Sequence, residues 1–204
     1  MEDDFFYSLP RNLQMADDES ALISSSLAGN LESFNSLVLA YQNLIYNVAF
    51  RILGERFSAE DAAQETFILA FRKLSTFRGG PFRSWLLRIV TNVCYDELRR
   101  HKRHPVSRLE FPTDTEEEIE SSKWTIDLGE SPDEELERVD LGRSIQACID
   151  DLPLEYRLVA VLVDIQGMDY AETAETLGLP LGTVKSRLAR ARARLSVCLQ
   201  GKLP

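Results

Sequence analysis

The chain has 204 residues, of which 44% are hydrophobic and 27% charged, with 10 glycines, 8 prolines and a formal net charge of -10. This composition excludes collagen-like and wholly disordered chains, and the scarcity of glycine and proline favours helices over a many-stranded sheet. The acidic start is unlike a secretory signal, and the apolar runs are too short to cross a bilayer, so the sequence predicts a cytoplasmic protein without membrane insertion. The three cysteines, Cys94, Cys148 and Cys198, are odd in number and widely spaced, which suggests neither a disulfide framework nor a metal site.

The charge is unevenly distributed along the chain. Residues 78–104 carry seven basic side chains against two acidic ones, for a net charge of +5. Residues 105–140 carry three against thirteen, for a net charge of -10, and residues 182–204 carry six basic side chains and no acidic one. Charge blocks of this kind often mark modules joined by a linker, so the order indicates two basic modules separated by an acidic segment.

The first predicted helix covers residues 31–53, where apolar residues recur at helical spacing and Gly54 offers a C-terminal stop. Ser58, with Asp61 three residues later, resembles a capping box that opens a second helix. Its predicted apolar face contains Ala62, Phe67, Ala70, Phe71 and Leu74. A third helix is expected from about residue 81 until Pro105 stops it.

These elements predict a first helical domain over residues 20–104, preceded by an acidic tail over 1–19 for which disorder is the expected state. Residues 105–131 lack a sustained period and are rich in acidic and small polar residues, so we interpret them as a flexible acidic linker. The linker contains a candidate docking segment, Trp124, Ile126 and Leu128.

The second predicted domain covers residues 132–204, and Ser131 and Pro132 supply the N-cap and the first helical position at its start. Its helices are predicted over 133–151, 154–166, 170–177 and 182–199. No strand pattern of comparable strength occurs. The predicted fold class is therefore all-α, with two small helical domains.

The spacing from residue 170 to residue 188 predicts a helix-turn-helix. Ala174 permits a close approach of two helices, Gly178 supplies a left-handed turn, and Val184 and Leu188 return to the core. The second helix then presents side chains suited to base edges and phosphates: Thr183, Lys185, Ser186, Arg187, Arg190, Arg192 and Arg194. An arginine-rich helix can also be no more than a solvated surface, but the turn and the absence of any acid after Glu175 favour DNA binding.

Four segments of the first domain resemble the second conserved region of bacterial sigma factors, namely residues 59–67, 77–79, 82–89 and 92–100. Together with the helix-turn-helix, in the family's order, they make the chain similar to the small extracytoplasmic-function class of the sigma-70 family. The resemblance implies a subunit that binds core RNA polymerase and directs initiation at promoter DNA with minus-ten and minus-thirty-five elements. It implies no catalytic residues, cofactor, metal or small-molecule substrate.

The resemblance also implies roles for individual residues. Those implied to bind core polymerase are Asp61, Gln64, Glu65 and Phe67. Those implied to open and contact the minus-ten element are Arg83, Trp85, Arg88, Asn92, Asp96, Arg99, Arg100 and Arg103. Stacking, polar pockets and a positive groove hold single-stranded bases, and the last arginines are suited to phosphates. Phe67 and Trp85 also fall at positions where a helix buries its core side chains. The basic helix-turn-helix residues named above would contact the minus-thirty-five element.

Three positions depart from the family pattern. Val163 lies where many members have an arginine, Thr173 lies where an apolar residue is usual, and Ala189 is too small to contact a base. Many members of the class are held inactive by an anti-sigma partner, although no residue of this chain identifies one.

Two other functions compete with a sigma factor. An autonomous helix-turn-helix regulator would bind its operator without polymerase. An enzyme is the weakest alternative, because the sequence has neither a nucleophile motif nor a glycine-rich phosphate loop.

Overall fold

The computed structural model describes residues 15–103 and 132–201, and it describes side chains over 18–100 and 140–201. The predicted linker and its docking segment therefore lie outside the described residues. Within the described ranges the α-helices are α1 (Met15–Leu27), α2 (Leu31–Leu53), α3 (Arg56–Lys73), α4 (Phe82–Arg103), α5 (Pro132–Asp150), α6 (Leu154–Ala160), α7 (Tyr170–Leu177) and α8 (Leu181–Gln200). A 3-10 turn, Leu74–Thr76, extends α3, and a π-helical turn, Val161–Ile165, extends α6. The all-α prediction is confirmed.

Helix α2 is the central element of the first domain. Asn30 caps its N-terminus by accepting hydrogen bonds from the backbone N–H groups of Glu32 and Ser33, and Gly54 ends it in the left-handed conformation at φ +74°. Its buried face packs against α3 and α4, where fully buried side chains such as Ile45 and Leu87 form the core. Helix α1, which was not predicted, packs along α2 and begins within the segment interpreted as a tail.

Helix α3 begins earlier than predicted. Its N-cap is Glu55, whose carboxylate accepts hydrogen bonds from Phe57 N at 2.8 Å and Ser58 N at 2.6 Å. The capping box predicted from Ser58 and Asp61 is therefore wrong, because Ser58 already lies within the first turn. The predicted apolar face is correct for the small residues and Leu74, but Phe71 is 46% exposed.

The second domain contains the predicted helix-turn-helix, formed by α7 and α8. Asp169 and Glu172 make a reciprocal capping box at the start of α7, and Gly178 ends that helix with φ +62°. Val184 and Leu188 of α8 are buried, and together with Val159 they form a core cluster of their own. This packing fixes α8 against the rest of the domain and leaves its opposite face exposed.

Cys148 and Cys198 form a disulfide that joins the last turn of α5 to the last turn of α8, while Cys94 is a buried free thiol. The expectation that the cysteines form no disulfide is therefore wrong. The two cysteines are 50 positions apart in sequence, and only the return of α8 alongside α5 brings their Cα atoms to 5.8 Å, within the range that a disulfide spans.

The two domains share one continuous core. Ile149, Leu158 and Leu162 of the second domain belong to the same buried cluster as the side chains of α2 and α4. Polar contacts reinforce this packing, since Arg51 Nη1 donates to Gln146 Oε1 at 2.8 Å across the domain boundary. The described residues therefore form a closed arrangement in which α2 and α4 face the second domain.

Candidate nucleic-acid interface

One exposed surface of α3 carries the residues implied to bind polymerase. Asp61, Gln64 and Glu65 are exposed, whereas Phe67 is half-buried and packs against the core. Gln64 and Phe67 also line an open groove of about 1330 Å³ between α2 and α3. Exposed apolar side chains on the same helix, Ile68 and Phe71, extend this lining.

Asp61, Gln64, Glu65 and Phe67 form a surface that we call the α3 ridge, and the groove places apolar side chains beside it. Phe71 was predicted to lie on the buried face and Ile68 was not selected, because helical periodicity does not reveal how far a neighbouring helix covers an apolar stripe.

Helix α4 presents the residues implied to contact the minus-ten element along its length. Asn92, Asp96, Arg99 and Arg100 are exposed, and only the backbone of Arg103 is described. Trp85 is half-buried in an aromatic cluster with Phe77 and Phe82, its ring centroid 5.3 Å from each of theirs. Its indole therefore has both a packed face and a partly accessible one.

The first turns of α4 contact the second domain. Arg83 Nη2 donates to the backbone oxygen of Gln166 at 2.7 Å and to its Oε1 at 3.1 Å. Burial lowers the pKa of the Arg83 guanidinium from its usual value. Arg88 contacts Glu175, with Nη1 3.3 Å from Oε1 and Nη2 2.9 Å from the backbone oxygen.

Between these two arginines, Ser84 Oγ donates to Glu172 Oε1 at 3.2 Å. The helix-turn-helix domain therefore covers the early part of the α4 surface in this arrangement.

Helix α8 offers an exposed polar face at its N-terminal half. Lys185, Ser186 and Arg190 are exposed, while Thr183 and Arg187 are half-buried. Ser186 and Arg190 are one turn apart and therefore share a face of the helix.

The arginines of α8 have partners within the domain, and Arg190 Nη1 donates to the Tyr156 hydroxyl at 3.5 Å. Arg187 forms an ion pair with Glu155 at 3.2 Å, and Arg192 forms one with Asp164 at 2.6 Å. The bond to Asp164 raises the pKa of Arg192. Arg194 lies over the ring of Tyr156, 5.4 Å from its centroid. Arg190 therefore has a neutral partner, whereas Arg187 and Arg192 are each paired with a carboxylate.

Comparisons with known proteins identify the family. The models for "Sigma-70 region 2" and "Sigma-70, region 4" match residues 37–104 and 142–195. The chain is 36% identical over 165 residues to the ECF RNA polymerase sigma factor SigE of Mycolicibacterium smegmatis, covering 81% of this chain and 61% of that relative. It is 31% identical over 190 residues to the RNA polymerase sigma-H factor of Pseudomonas aeruginosa, covering 90% and 95% of the two chains. It is also 34% identical over 168 residues to the ECF RNA polymerase sigma factor SigW of Bacillus subtilis, covering 82% of this chain and 89% of that relative. The chain belongs to the extracytoplasmic-function class of the sigma-70 family.

A solved structure agrees with the assignment of this chain to the sigma factor family. The structure of CnrH in complex with the cytosolic domain of CnrY superposes with a TM-score of 0.61 at 28% identity, covering 90% of this sigma factor and 97% of CnrH. The function of the sigma factor is promoter-specific initiation of transcription, and none of these comparisons supports an autonomous regulator.

The sequence did not single out the internal partners of the sigma factor's basic residues. Glu175 was interpreted only as part of the helix-turn-helix pattern, and Asp164 and Glu155 were not selected at all. Their negative charge marks them as candidate partners for arginine, but they lie 28 to 87 positions away from their arginines, and the sequence gave no means of pairing them.

No helix among the described residues is both long and apolar enough to span a membrane.

Proposed function

We propose that this sigma factor divides promoter recognition between its two helical domains. The α3 ridge binds core RNA polymerase, the exposed face of α4 opens and contacts the minus-ten element, and the middle of α8 contacts the minus-thirty-five element. The observation that carries the proposal is the position of the exposed basic surface of α8 on the second helix of a helix-turn-helix, the element that enters the major groove in such motifs.

The role of α8 centres on Ser186 and Arg190. Both are exposed on one face, and Lys185 adds a cation next to them, its Nζ 5.9 Å from the centroid of the Tyr170 ring. Arg192 is compensated by Asp164, so it contributes less to the affinity for phosphate in this arrangement than an uncompensated arginine does.

The role of α4 requires a change in domain arrangement. Asn92, Asp96 and Arg99 are accessible in the closed arrangement, whereas Arg83 and Arg88 are bonded to Gln166 and Glu175. Arg83 is half-buried and can contact DNA only after the second domain moves away from α4, whereas Arg88 is exposed and would exchange Glu175 for DNA. Polymerase binding at the α3 ridge is the step that we propose stabilises this open arrangement.

The α3 ridge is suited to a basic partner surface with an apolar component. Asp61 and Glu65 supply negative charge, and the groove beside Gln64 supplies exposed apolar area. Charge complementarity of this kind directs association, and buried aromatic anchors supply affinity.

We further propose that the protein acts in the cytoplasm and that polymerase supplies all of the catalytic chemistry. The relatives named above are sigma factors, which are not enzymes. An anti-sigma factor is the regulatory partner that we propose, because CnrH was solved with a second polypeptide bound to it.

The decisive experiment mixes the full chain with core RNA polymerase and measures co-elution and specific transcripts from a promoter library. Asp61→Arg should abolish co-elution, whereas Asp18→Arg, which reverses an exposed charge on α1, should preserve it. Arg190→Ala should lower transcript yield at least several-fold with co-elution intact, whereas Arg143→Ala on α5 should leave both unchanged.

Wild-type chain that fails to co-elute with core, or that binds promoter DNA specifically without it, would contradict the proposed function. Loss of core binding in Arg190→Ala would contradict the division of roles.

A further inference from the structure

The disulfide between Cys148 and Cys198 lies at the place where the last turn of α8 meets α5. Cys148 is 1% exposed, and Cys198 is half-buried. The fully buried apolar contacts of α8 lie earlier in the helix, at Val184, Leu188 and Ala191, and the half-buried Leu195 also packs against the core. Beyond them Val197 is 73% exposed, so the disulfide is the covalent attachment of this final turn.

The three cysteines differ in how accessible and how reactive their sulfur atoms are. Cys94 is fully buried on α4, and burial raises the pKa of its thiol to about 12. A thiol that ionises so weakly is a poor nucleophile, because the thiolate is the reactive form. Cys198 is the accessible member of the three, and Cys148 lies next to it, which is the arrangement of an attacking thiol with a resolving thiol.

We propose that Cys148 and Cys198 form a reversible redox site that takes a hydroperoxide as its oxidant. The reversibility rests on the proposed function, because a protein that works with polymerase occupies a reducing compartment, where disulfides are usually transient. The site is a dithiol under reducing conditions and becomes the observed disulfide under oxidative stress.

The chemistry balances without any further group. The Cys198 thiol loses its proton to solvent, and its sulfur attacks one peroxide oxygen, so that the O–O bond breaks and an alcohol, or water from hydrogen peroxide, departs. The resulting sulfenic acid reacts with the Cys148 sulfur, the S–S bond forms, and water leaves with the proton of Cys148. Two thiols are oxidised by two electrons, and one peroxide is reduced. A low-molecular-weight thiol reverses the reaction by thiol–disulfide exchange.

Oxidation changes the stability of the second domain and of its contact with the first domain. The disulfide closes the chain between residues 148 and 198, which contains the whole helix-turn-helix, so it restricts the unfolded state of that domain. Helix α5 also contacts the first domain through Gln146 and Arg51. The redox state therefore determines whether α5, which contacts the first domain, is covalently linked to α8, the helix proposed to contact the promoter.

The test uses purified full-length chain with no polymerase or DNA, so its outcome is independent of the proposed function. The reduced chain is treated with hydrogen peroxide, and intact mass, thiol alkylation and peptide mapping are measured. We expect the mass to fall by two hydrogen atoms, with Cys148 linked to Cys198 and Cys94 still free. The oxidised chain should return to the dithiol in a glutathione buffer as reducing as the cytoplasm.

Cysteine variants distinguish oxidation at Cys148 and Cys198 from non-specific oxidation of the chain. Cys94→Ala should respond like the wild type, and Cys198→Ser should lose the response. Oxidation should raise the Tm of the wild type by roughly 5–10 °C and should not change the Tm of Cys198→Ser. The proposal is overturned by a mass that peroxide does not change, by a response that survives in Cys198→Ser, or by a disulfide that persists in the most reducing buffer.

Discussion

Arg157 stabilises the junction of the two domains by binding the ends of two helices. Its Nη1 donates to the backbone oxygen of Ile52, near the end of α2, at 2.6 Å, and its Nη2 donates to the backbone oxygens of Asp150 and Leu152, at the end of α5. The side chain is 12% exposed, and Nη1 lies 3.4 Å from Asp150 Oδ1. The last carbonyls of a helix lack intrahelical partners, and a cation there also complements the helix dipole.

Replacing Arg157 by Ala should lower the free energy of unfolding by about 2–4 kcal/mol. A hydrogen bond from a charged donor contributes about 1.5–3 kcal/mol, and Arg157 donates one such bond to the end of each of the two helices. Their sum is an upper bound, because burial lowers the pKa of Arg157 and its Nε has no partner among the described residues. Removing the side chain recovers part of that desolvation cost.

The assay is urea unfolding of the full chain, with Arg157→Lys and Arg143→Ala measured alongside. Lysine keeps the charge but loses the fork of donors, so Arg157→Lys should recover part of the loss. Arg143 belongs to an exposed pair with Asp140, and its removal should cost less than about 0.5 kcal/mol. A change of under about 1 kcal/mol in Arg157→Ala would refute the reasoning, since it would show that these carbonyls do not depend on the arginine.

Two further substitutions test the packing of the fold by the same unfolding assay. Thr173→Val should stabilise the chain by about 1 kcal/mol, because Thr173 is fully buried and its Oγ1 has no hydrogen-bond partner among the described residues. Thr66→Val is the matched control: Thr66 Oγ1 donates to Ala62 O at 2.7 Å, so no gain is expected, and an equal gain in both would contradict the explanation. Gly54→Ala should lower the free energy of unfolding by about 2 kcal/mol and Gly178→Ala by about 1 kcal/mol. Both glycines have a positive φ, which disfavours alanine, but only a Cβ at Gly54 would lie 2.6 Å from Asp150 Oδ1. Equal losses at the two glycines would show that the contact with Asp150 relaxes freely.

Much of the secondary structure could be predicted because its signals are local. The predicted helix over 31–53 matches α2, since an apolar stripe of helical period and Gly54 both lie within one segment. The start of α3 was predicted wrongly because two acidic or hydroxyl residues near it are competent caps, and the geometry of the preceding turn selected Glu55. Helix α1 escaped prediction because its stabilisation comes from packing on α2, as is usual for short helices.

The sequence predicted which residues of the candidate site are exposed, but it did not predict which residues contact one another. The exposure of Asp61, Asn92 and Arg190 matches the face that each was expected to occupy. The roles of these residues remain predictions. The pairing of Arg88 with Glu175 depends on how the domains pack, and no local pattern records that packing.

The sequence by itself determined seven of the eight described α-helices, although not the start of α3, together with the helix-turn-helix and the family, because periodicity and motif spacing are properties of short segments. The tertiary structure alone decided that the two domains close on a shared core, that α7 covers the start of α4, and that Cys148 meets Cys198. These features join residues 50 or more positions apart. The contacts between them form only when the buried faces of separate helices meet, so their energies depend on the packing of the whole chain.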